Sequence, residues 1–404
     1  MLTRRDWLWV TTLAAIAPIR TIADAARDTR IRAIIEAYEK QGFHRTATDV
    51  DRASAEWLAR EVRGAGLTPA LEPFAIQRVD PIEASLTIGR RRIAGVPLFD
   101  GGFTAAGGVR GRLGALDGPA EIGLTQIAPN AAAAGALGAA RKANRHRAIV
   151  AITRGGRPGL CPSNGESFQN PFGPPVLQVS SEDGAALEEG ARQGVEVQIV
   201  AHVTRTAAQA FNVTASLAGA NRGQPPVIVM TPRSGWWTCA SERGGGIASW
   251  LELMRELAAT RPARDVLFVA SSGHELGYLG INAFIDRRPG IVAASAGWMH
   301  FGANIGAAQD PGNTVQASDD DLAARQERAM TSVGLAVDRR VPRGTIPGGE
   351  AEAVHRGGGR YVSFIGRNAL FHNPEDRGPT AVDIGVVARF VEAFTIVARG
   401  LSSP

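Results

Sequence analysis

SSGHELGYLG, from Ser271 to Gly280, directly follows the apolar run VLFVA, from Val266 to Ala270. A short apolar run that ends in small and polar residues predicts a buried β-strand. His274 and Glu275 then lie together at the carboxyl end of that strand. In open α/β sheets, ligands bind at this end of the strands. The stretch therefore predicts a functional site around His274 and Glu275.

Three other polar segments are predicted to reach the same edge of the sheet. TPRSGWWTCASERGGG follows the strand VIVM and contains Glu242, WMHFGANIG contains His300, and NALFHNPED contains His372. Imidazole and carboxylate groups that converge from separate loops are typical zinc ligands. The candidate metal ligands are therefore Glu242, Glu275, His300 and His372.

Apolar strands alternate with amphipathic helices along most of the chain. After VIVM, the segment GGGIASWLELMRELAAT carries Ile247, Trp250 and Leu257 on one helical face. Near the start, DVDRASAEWLAREVRGAGL predicts another helix, with Asp49 and Asp51 as candidate caps;. This alternation predicts an α/β fold, with a mostly parallel mixed sheet covered by helices on both faces.

Short β-runs broken by glycine replace this alternation in the middle of the chain. We predict that residues 27–84 and 211–404 form the α/β domain and that residues 85–210 form a β-rich inserted domain. The insert contains the long segment GRPGLCPSNGESFQNPFGPP, residues 156–175. This segment either lies over the candidate site or is a mobile surface loop.

Residues 1–25 have the composition of an export signal. Paired arginines in TRRDWL, Thr3 to Leu8, precede an apolar stretch, and Ala23 and Ala25 form an A-x-A cleavage pattern;. This predicts twin-arginine export to a bacterial periplasm or to the medium, and a short N-terminal helix with a chance arginine pair is the alternative. Because the apolar stretch is shorter than the ~20 residues that a membrane span needs, we expect no stable membrane span.

The charge distribution argues against a nucleic-acid partner. The 404-residue chain has 44 Lys and Arg, 39 Asp and Glu and a formal net charge of +5. Its arginines alternate with acidic residues instead of forming one basic run. Cys161 and Cys239 could pair in an oxidising compartment, but the sequence does not show whether their Cα atoms approach.

The polar segments together resemble the motifs of a known enzyme family. MTPRSG, CASERGGG, SGHELGYLG, WMHFGANIG and FHNPED follow the motif order of the co-catalytic zinc exopeptidases of metallopeptidase family twenty-eight, which includes secreted bacterial aminopeptidases. The insert resembles the protease-associated domain that many members carry. The resemblance covers nearly all of the chain after residue 25. It implies a zinc-exopeptidase-like fold and hydrolysis of an N-terminal peptide or amide bond.

By this resemblance, the chain keeps two of the family's metal-binding residues, at Glu275 and His372. It differs from the family pattern at the other site positions. The substituted positions are Pro232 for the first metal histidine, Ser234 for the aspartate that orients it, Glu242 for the aspartate that bridges two metals, His274 for the glutamate that serves as general base, and His300 for the second-metal aspartate. Because proline cannot bind a metal, the resemblance implies one metal ion instead of two.

One hypothesis is a one-metal hydrolase. A single zinc ion would be held by Glu242, Glu275 and His372 and would leave a fourth position for water. His300 could assist as a ligand, and His274 could accept the proton of that water.

The other hypothesis is a metal-free descendant that binds peptides or a partner protein in the same cleft. Arg233 and Arg243 flank the altered positions, and a guanidinium can neutralise a carboxylate in place of a metal. Further residues predicted beside the cleft are Ser234, Trp236, Glu350, Glu352 and His355. The alternatives are packing against the sheet for the tryptophan and solvated surface positions for the last three.

Overall fold

The computed structural model describes residues 22–130 and 132–403. Most of the predicted export signal, residues 1–25, therefore lies outside the described residues. Among the helices of the described residues, none combines the length and the apolar character that crossing a membrane requires.

The described residues form strands and helices that alternate along much of the chain. The strands are β1 (Pro69–Ile88), β2 (Arg91–Pro97), β3 (Val109–Ala115), β4 (Ile122–Ile127), β5 (Ala148–Thr153), β6 (Val176–Val179), β7 (Glu196–Leu217), β8 (Val227–Pro232), β9 (Val266–Ser271), β10 (Gly297–Phe301), β11 (Gly312–Ala317), β12 (Arg339–Arg340) and β13 (Tyr361–Arg367). The helices are α1 (Ile22–Glu39), α2 (Asp49–Gly64), α3 (Gly135–Ala143), α4 (Gly184–Gln193), α5 (Gly245–Thr260), α6 (Leu279–Asp286), α7 (Ile291–Ala294), α8 (Asp320–Ser332), α9 (Ala351–Arg356) and α10 (Ile384–Ser402).

Four parallel strands form the centre of the main sheet. They lie in the order β9, β8, β10 and β13, and each neighbouring pair is parallel. β7 pairs antiparallel with β9 on one side, and β11 pairs antiparallel with β13 on the other. The sheet is therefore mixed with a parallel centre, which confirms the predicted fold class.

Side chains of β8 alternate between two hydrophobic cores. Val227 and Val229 pack in one core with residues of α1, α5 and α10, whereas Ile228 and Met230 pack in another with residues of α6 and α9. Successive side chains of a strand point to opposite faces of the sheet, so helices cover both faces. Each such fully buried side chain contributes roughly 1.5–3 kcal/mol to stability.

Residues between the two long strands β1 and β7 form a ring of strands. The pairing order β1, β2, β6, β5, β4, β3, β7 closes because β7 also pairs with β1. A separate hydrophobic cluster fills this region and includes Leu86, Val150, Leu177 and Ile199. β1 and β7 pass through the predicted domain boundaries near residues 84 and 210 and join the ring to the main sheet. The division into domains remains a prediction.

The parallel centre of the sheet positions the candidate site. β8 ends at Pro232, β9 at Ser271 and β10 at Phe301. Because these neighbouring strands are parallel, their carboxyl ends meet at one edge. The segments that follow them therefore lie side by side.

Candidate functional site

The turn before α5 positions Glu242 and Arg243. Ala240–Gly244 forms one π-helical turn, and Asp376 accepts hydrogen bonds from the backbone N–H groups of Ser241 and Glu242, both at 2.9 Å. Burial raises the pKa of Asp376 to about 7, although these hydrogen bonds favour the charged carboxylate. A Cβ atom on Gly245 would lie 1.8 Å from the carbonyl oxygen of Ile305. Only glycine therefore permits this close approach at the helix start.

Glu242 forms a buried ion pair with Arg243. Nη2 of Arg243 lies 2.8 Å from Oε1 of Glu242, and both side chains are at most 1% exposed. Nε of Arg243 donates to the carbonyl oxygen of Ser234 at 2.8 Å. Burial alone would raise the pKa of Glu242, but the positive charge of Arg243 and the contacts with His372 together outweigh burial, and the net pKa lies below its usual range. The guanidinium thus neutralises the carboxylate.

His372 faces the same carboxylate. Its Nδ1 donates to the carbonyl oxygen of Pro162 at 2.6 Å, and its Nε2 lies 3.5 Å from Oε1 of Glu242. The hydrogen bond from Nδ1 to Pro162 leaves Nε2 facing the Glu242–Arg243 pair.

Glu275 is held by uncharged hydrogen-bond donors, unlike Glu242, which pairs with a guanidinium. Its Oε1 accepts hydrogen bonds from the backbone N–H and the hydroxyl of Thr46, both at 2.7 Å. Its Oε2 accepts one from the hydroxyl of Ser234, also at 2.7 Å. The side chain is buried. Three short hydrogen bonds therefore hold this carboxylate in place.

His274 and His300 share one carboxylate, that of Glu350. Nδ1 of His274 donates to Oε1 of Glu350 at 2.9 Å, and Nε2 of His300 donates to Oε2 at 3.1 Å. Nδ1 of His300 accepts from the hydroxyl of Ser363 at 2.8 Å. Burial lowers the pKa of His274, so its imidazole is neutral near pH 7. These contacts place the predicted residue Glu350 inside the site.

Acidification is expected to reveal the role of Glu350. Burial would raise its pKa, but the two histidine contacts outweigh burial and hold it well below the ordinary value of 4.5. Its stabilising effect is therefore present above about pH 4.5 and is lost as the pH falls through the lowered pKa. We expect Glu350→Gln to lower the free energy of unfolding by about 1–3 kcal/mol at neutral pH, with a smaller difference from wild type at pH ~3.

Thermal unfolding of the wild type and of Glu350→Gln, measured from neutral pH to pH ~3, tests this expected loss of stability. Glu352→Gln is the matched control, because Glu352 is part-exposed and pairs with exposed Arg356. A difference in stability between the wild type and Glu350→Gln that stays constant with pH would contradict the lowered pKa of Glu350.

Arg233 forms a second buried ion pair, with a partner that sequence analysis assigned to another role. Its Nη1 lies 2.7 Å from Oδ1 of Asp51, and the same carboxylate accepts from the hydroxyl of Ser272. Asp51 was expected to cap α2, but Thr48 occupies the cap position and accepts from the Asp51 N–H. Thr46 and Asp51 were missed as site residues, because a pattern of polar residues beside a helix start also fits a cap.

The segment of residues 156–175 lies over the site. The backbone N–H of Gly165 donates to the carbonyl oxygen of Glu275 at 2.9 Å, and Pro162 binds His372 as described above. Oδ1 of Asn164 accepts from the indole of Trp236 at 3.0 Å. Trp236 also packs edge-on against Phe99 of the β-rich region, with ring centroids 5.1 Å apart. The segment thus makes contacts to three separate site segments.

The remaining sequence candidates lie away from these contacts. Glu352 pairs with Arg356, and His355 contacts the hydroxyl of Tyr361. The two cysteines are free buried thiols.

These contacts do not fit a zinc ion shared by Glu242, Glu275, His300 and His372. Glu242 and His372 face each other, but the carboxylate of Glu242 is already neutralised by Arg243. Glu275 points to Thr46 and Ser234, and His300 points to Glu350 and Ser363. In the part of the chain that the structure describes, no group of three or more His, Cys, Asp or Glu side chains is arranged to hold a metal. The predicted ligands therefore divide into three separate hydrogen-bonded groups.

Comparison with known proteins places the architecture among peptidases. No family model matches the sequence, and no curated protein matches it. A zinc aminopeptidase from Bacillus subtilis superposes with a TM-score of 0.76 at 18% identity, over 94% of this chain and 95% of that chain. An aminopeptidase from Aneurinibacillus superposes with a TM-score of 0.71 at 13% identity, over 94% of each chain.

A peptidase precursor of family twenty-eight from Shewanella amazonensis is similar as well, with a TM-score of 0.70 at 13% identity over 94% of this chain and 98% of that chain. At identities this low, the superpositions establish the fold alone. The chemistry of the site has to be argued from its own residues. The chain has the fold of the zinc aminopeptidases, as the motif resemblance predicted.

Proposed function

We propose that this chain is a metal-free, peptidase-like protein that binds a peptide or a partner protein without metal-dependent hydrolysis. One observation carries the proposal: Nη2 of Arg243 lies 2.8 Å from Oε1 of Glu242 in a fully buried ion pair. A metal ion bound to Glu242 would be a second positive charge beside the guanidinium. Burying that charge without a further anion would be strongly unfavourable.

The contacts of Glu275 support the same proposal. A metal bound by Glu275 would have to displace hydrogen bonds from Thr46 or Ser234, and each group left unpaired and buried would cost about 1–3 kcal/mol. A peptide ligand follows from the similarity to aminopeptidases. Two small cavities of about 160 and 190 Å³ are both lined by Gly277 and by Glu166 of segment 156–175. Either could receive a peptide end.

Metal analysis of the wild-type protein tests this proposal. After purification in zinc-containing buffer and gel filtration, we expect well under one zinc per chain, against the one per chain of a catalytic centre. We also expect no change in melting temperature with a chelator and no chelator-sensitive turnover of a panel of aminoacyl amides. Calorimetric titration with short peptides then measures binding. One tightly bound zinc per chain together with chelator-sensitive turnover would establish the one-metal hydrolase instead.

Metal-independent hydrolysis is a second candidate, favoured by the His274–Glu350 contact of 2.9 Å. Glu350 would hold the imidazole so that Nε2 accepts a proton from an attacking water. Turnover that resists chelation and is lost in His274→Ala would support this candidate. The absence of turnover in the wild type would exclude it.

Export belongs to the proposal as well and rests on residues 1–25 of the sequence. Twin-arginine substrates travel folded, so a binding protein would reach the periplasm or the medium in its final form. A reporter fused to these residues, with and without lysine at Arg4 and Arg5, tests the pathway. We further propose that residues 85–210 act as a protease-associated-type domain.

A further inference from the structure

Residues 162–166, here called the strap, bind the candidate site through their backbone. The carbonyl oxygen of Pro162 accepts a hydrogen bond from Nδ1 of His372 at 2.6 Å. The backbone N–H of Gly165 donates to the carbonyl oxygen of Glu275 at 2.9 Å. Both site residues are buried. Because almost every residue of a peptide carries the same carbonyl and N–H groups, these two contacts do not depend on the side chains of the strap.

A close backbone approach and a side-chain hydrogen bond add to these contacts. A Cβ atom on Gly277 would lie 2.5 Å from the carbonyl oxygen of Glu166, so the strap lies directly on the backbone of the site. Oδ1 of Asn164 accepts a hydrogen bond from Nε1 of Trp236 at 3.0 Å. Extended peptides bind to proteins in the same way, with backbone contacts for affinity and side-chain contacts for selectivity.

The strap is part of a long loop of the β-rich region. Within the described residues, the chain between β5 and β6 forms no helix and no strand. The backbone N–H of Ser163 donates to Gln178 of β6 at 2.6 Å, and that of Ser167 donates to Asp100 at 3.0 Å. Long loops without secondary structure are uncommon in compact domains and are often functional. This loop therefore carries a segment of the β-rich region into the site at the main sheet.

We propose that the strap is an internal ligand, which fills a groove for an extended peptide and has to leave before a peptide from another molecule can bind. The surface of this groove is formed by Glu275, Gly277, His372 and Trp236. The inference rests on the proposed function, in which the chain binds a peptide in the cleft. It goes further because it assigns the same groove to the strap and to the peptide, so that each excludes the other.

Competition between the strap and a free peptide determines the affinity that is measured. A tethered segment has an effective concentration in the millimolar range at its own binding site. A free peptide that makes the same contacts displaces the strap only at comparable concentrations. A substitution that weakens the strap alone lowers the concentration of peptide that is needed. Asn164 offers such a substitution, because a free peptide brings its own asparagine to Trp236.

Ligand-observed NMR titration with two synthetic peptides tests the inference. The asparagine peptide comprises residues 160–168 with Cys161→Ser, and the alanine peptide carries Asn164→Ala in addition. We expect the protein variant Asn164→Ala to bind the asparagine peptide roughly fivefold more tightly than the wild type does, as one weakened hydrogen bond predicts. The same variant should bind the alanine peptide roughly fivefold more weakly than the asparagine peptide. Bound asparagine peptide should also accelerate hydrogen exchange of the strap amides, measured by mass spectrometry.

Two further variants serve as controls. Asn170→Ala lies in the same loop, and Asn170 is exposed. This variant should bind both peptides as the wild type does. Trp236→Phe removes the donor that the strap and the asparagine peptide share. It should therefore bind the two peptides with equal affinity.

Each outcome decides a separate question. Zinc-dependent turnover by the wild type overturns the proposed function. Equal affinity of the asparagine peptide for the wild type and Asn164→Ala overturns only the strap as a competitor, as does a bound peptide that leaves the exchange of the strap amides unchanged. The absence of binding to Asn164→Ala also overturns it. If Asn164→Ala is insoluble, Asn164→Ser gives the same comparison as the milder variant.

Discussion

Replacement of Asp51 by alanine is expected to lower the free energy of unfolding by about 3–5 kcal/mol, because it leaves the Arg233 guanidinium charged and buried. The carboxylate of Asp51 lies 2.7 Å from Nη1 of Arg233 and accepts hydrogen bonds from Ser272 and from the backbone N–H of Ala47. All of these contacts are lost together. Urea-induced unfolding, followed by circular dichroism, measures the change.

An exposed ion pair provides the control for this experiment. Asp321 pairs with Arg325 one helical turn later, and both side chains are about half exposed. Asp321→Ala should change the free energy of unfolding by less than about 0.5 kcal/mol. An equal effect of the two substitutions would show that the Asp51–Arg233 pair does not stabilise the folded chain.

Replacement of Glu275 by alanine is expected to cost about 2–4 kcal/mol of stability and to leave the metal content unchanged. The substitution removes the acceptor of two hydrogen bonds from Thr46 and one from Ser234. Those buried donors would then have no partner. Chemical unfolding and metal analysis of the same preparation give both readouts.

Glu275→Gln is the matched variant, because the amide keeps one oxygen acceptor and nearly the same volume. We expect it to lose less stability than Glu275→Ala. If Glu275→Ala instead lost a zinc ion that the wild type holds, Glu275 would be a metal ligand and the proposed function would be wrong.

Much of the fold could be predicted from sequence periodicity. The apolar runs at β8 and β9 and the amphipathic helix around Trp250 are local patterns with one structural solution;. Parallel neighbouring strands bring their carboxyl ends to one edge, so Glu242, His274 and Glu275 could be assigned to a common site before any coordinates. The motif order predicted the peptidase architecture, which the similar structures confirm.

The partners of each site residue could not be predicted in the same way. Glu275 binds Thr46, 229 positions away in the sequence, and Arg233 binds Asp51, 182 positions away. Arg243 could have neutralised either Glu242 or Glu275, and both choices agree with the sequence pattern. A difference of a few ångströms in one side chain separates a metal ligand from an ion-pair partner.

By itself, the sequence determined the sheet, the helices that cover it and the edge at which the polar segments meet, because hydrophobic periodicity is a local pattern and parallel strands share one carboxyl edge. Only the tertiary structure decided that Arg243 neutralises Glu242, that Thr46 and Ser234 hold Glu275, and that Glu350 joins His274 to His300. The physical reason is that the charge state of a buried group depends on neighbours within about 4–6 Å. Those neighbours come from loops whose meeting is set by the packing of the whole chain.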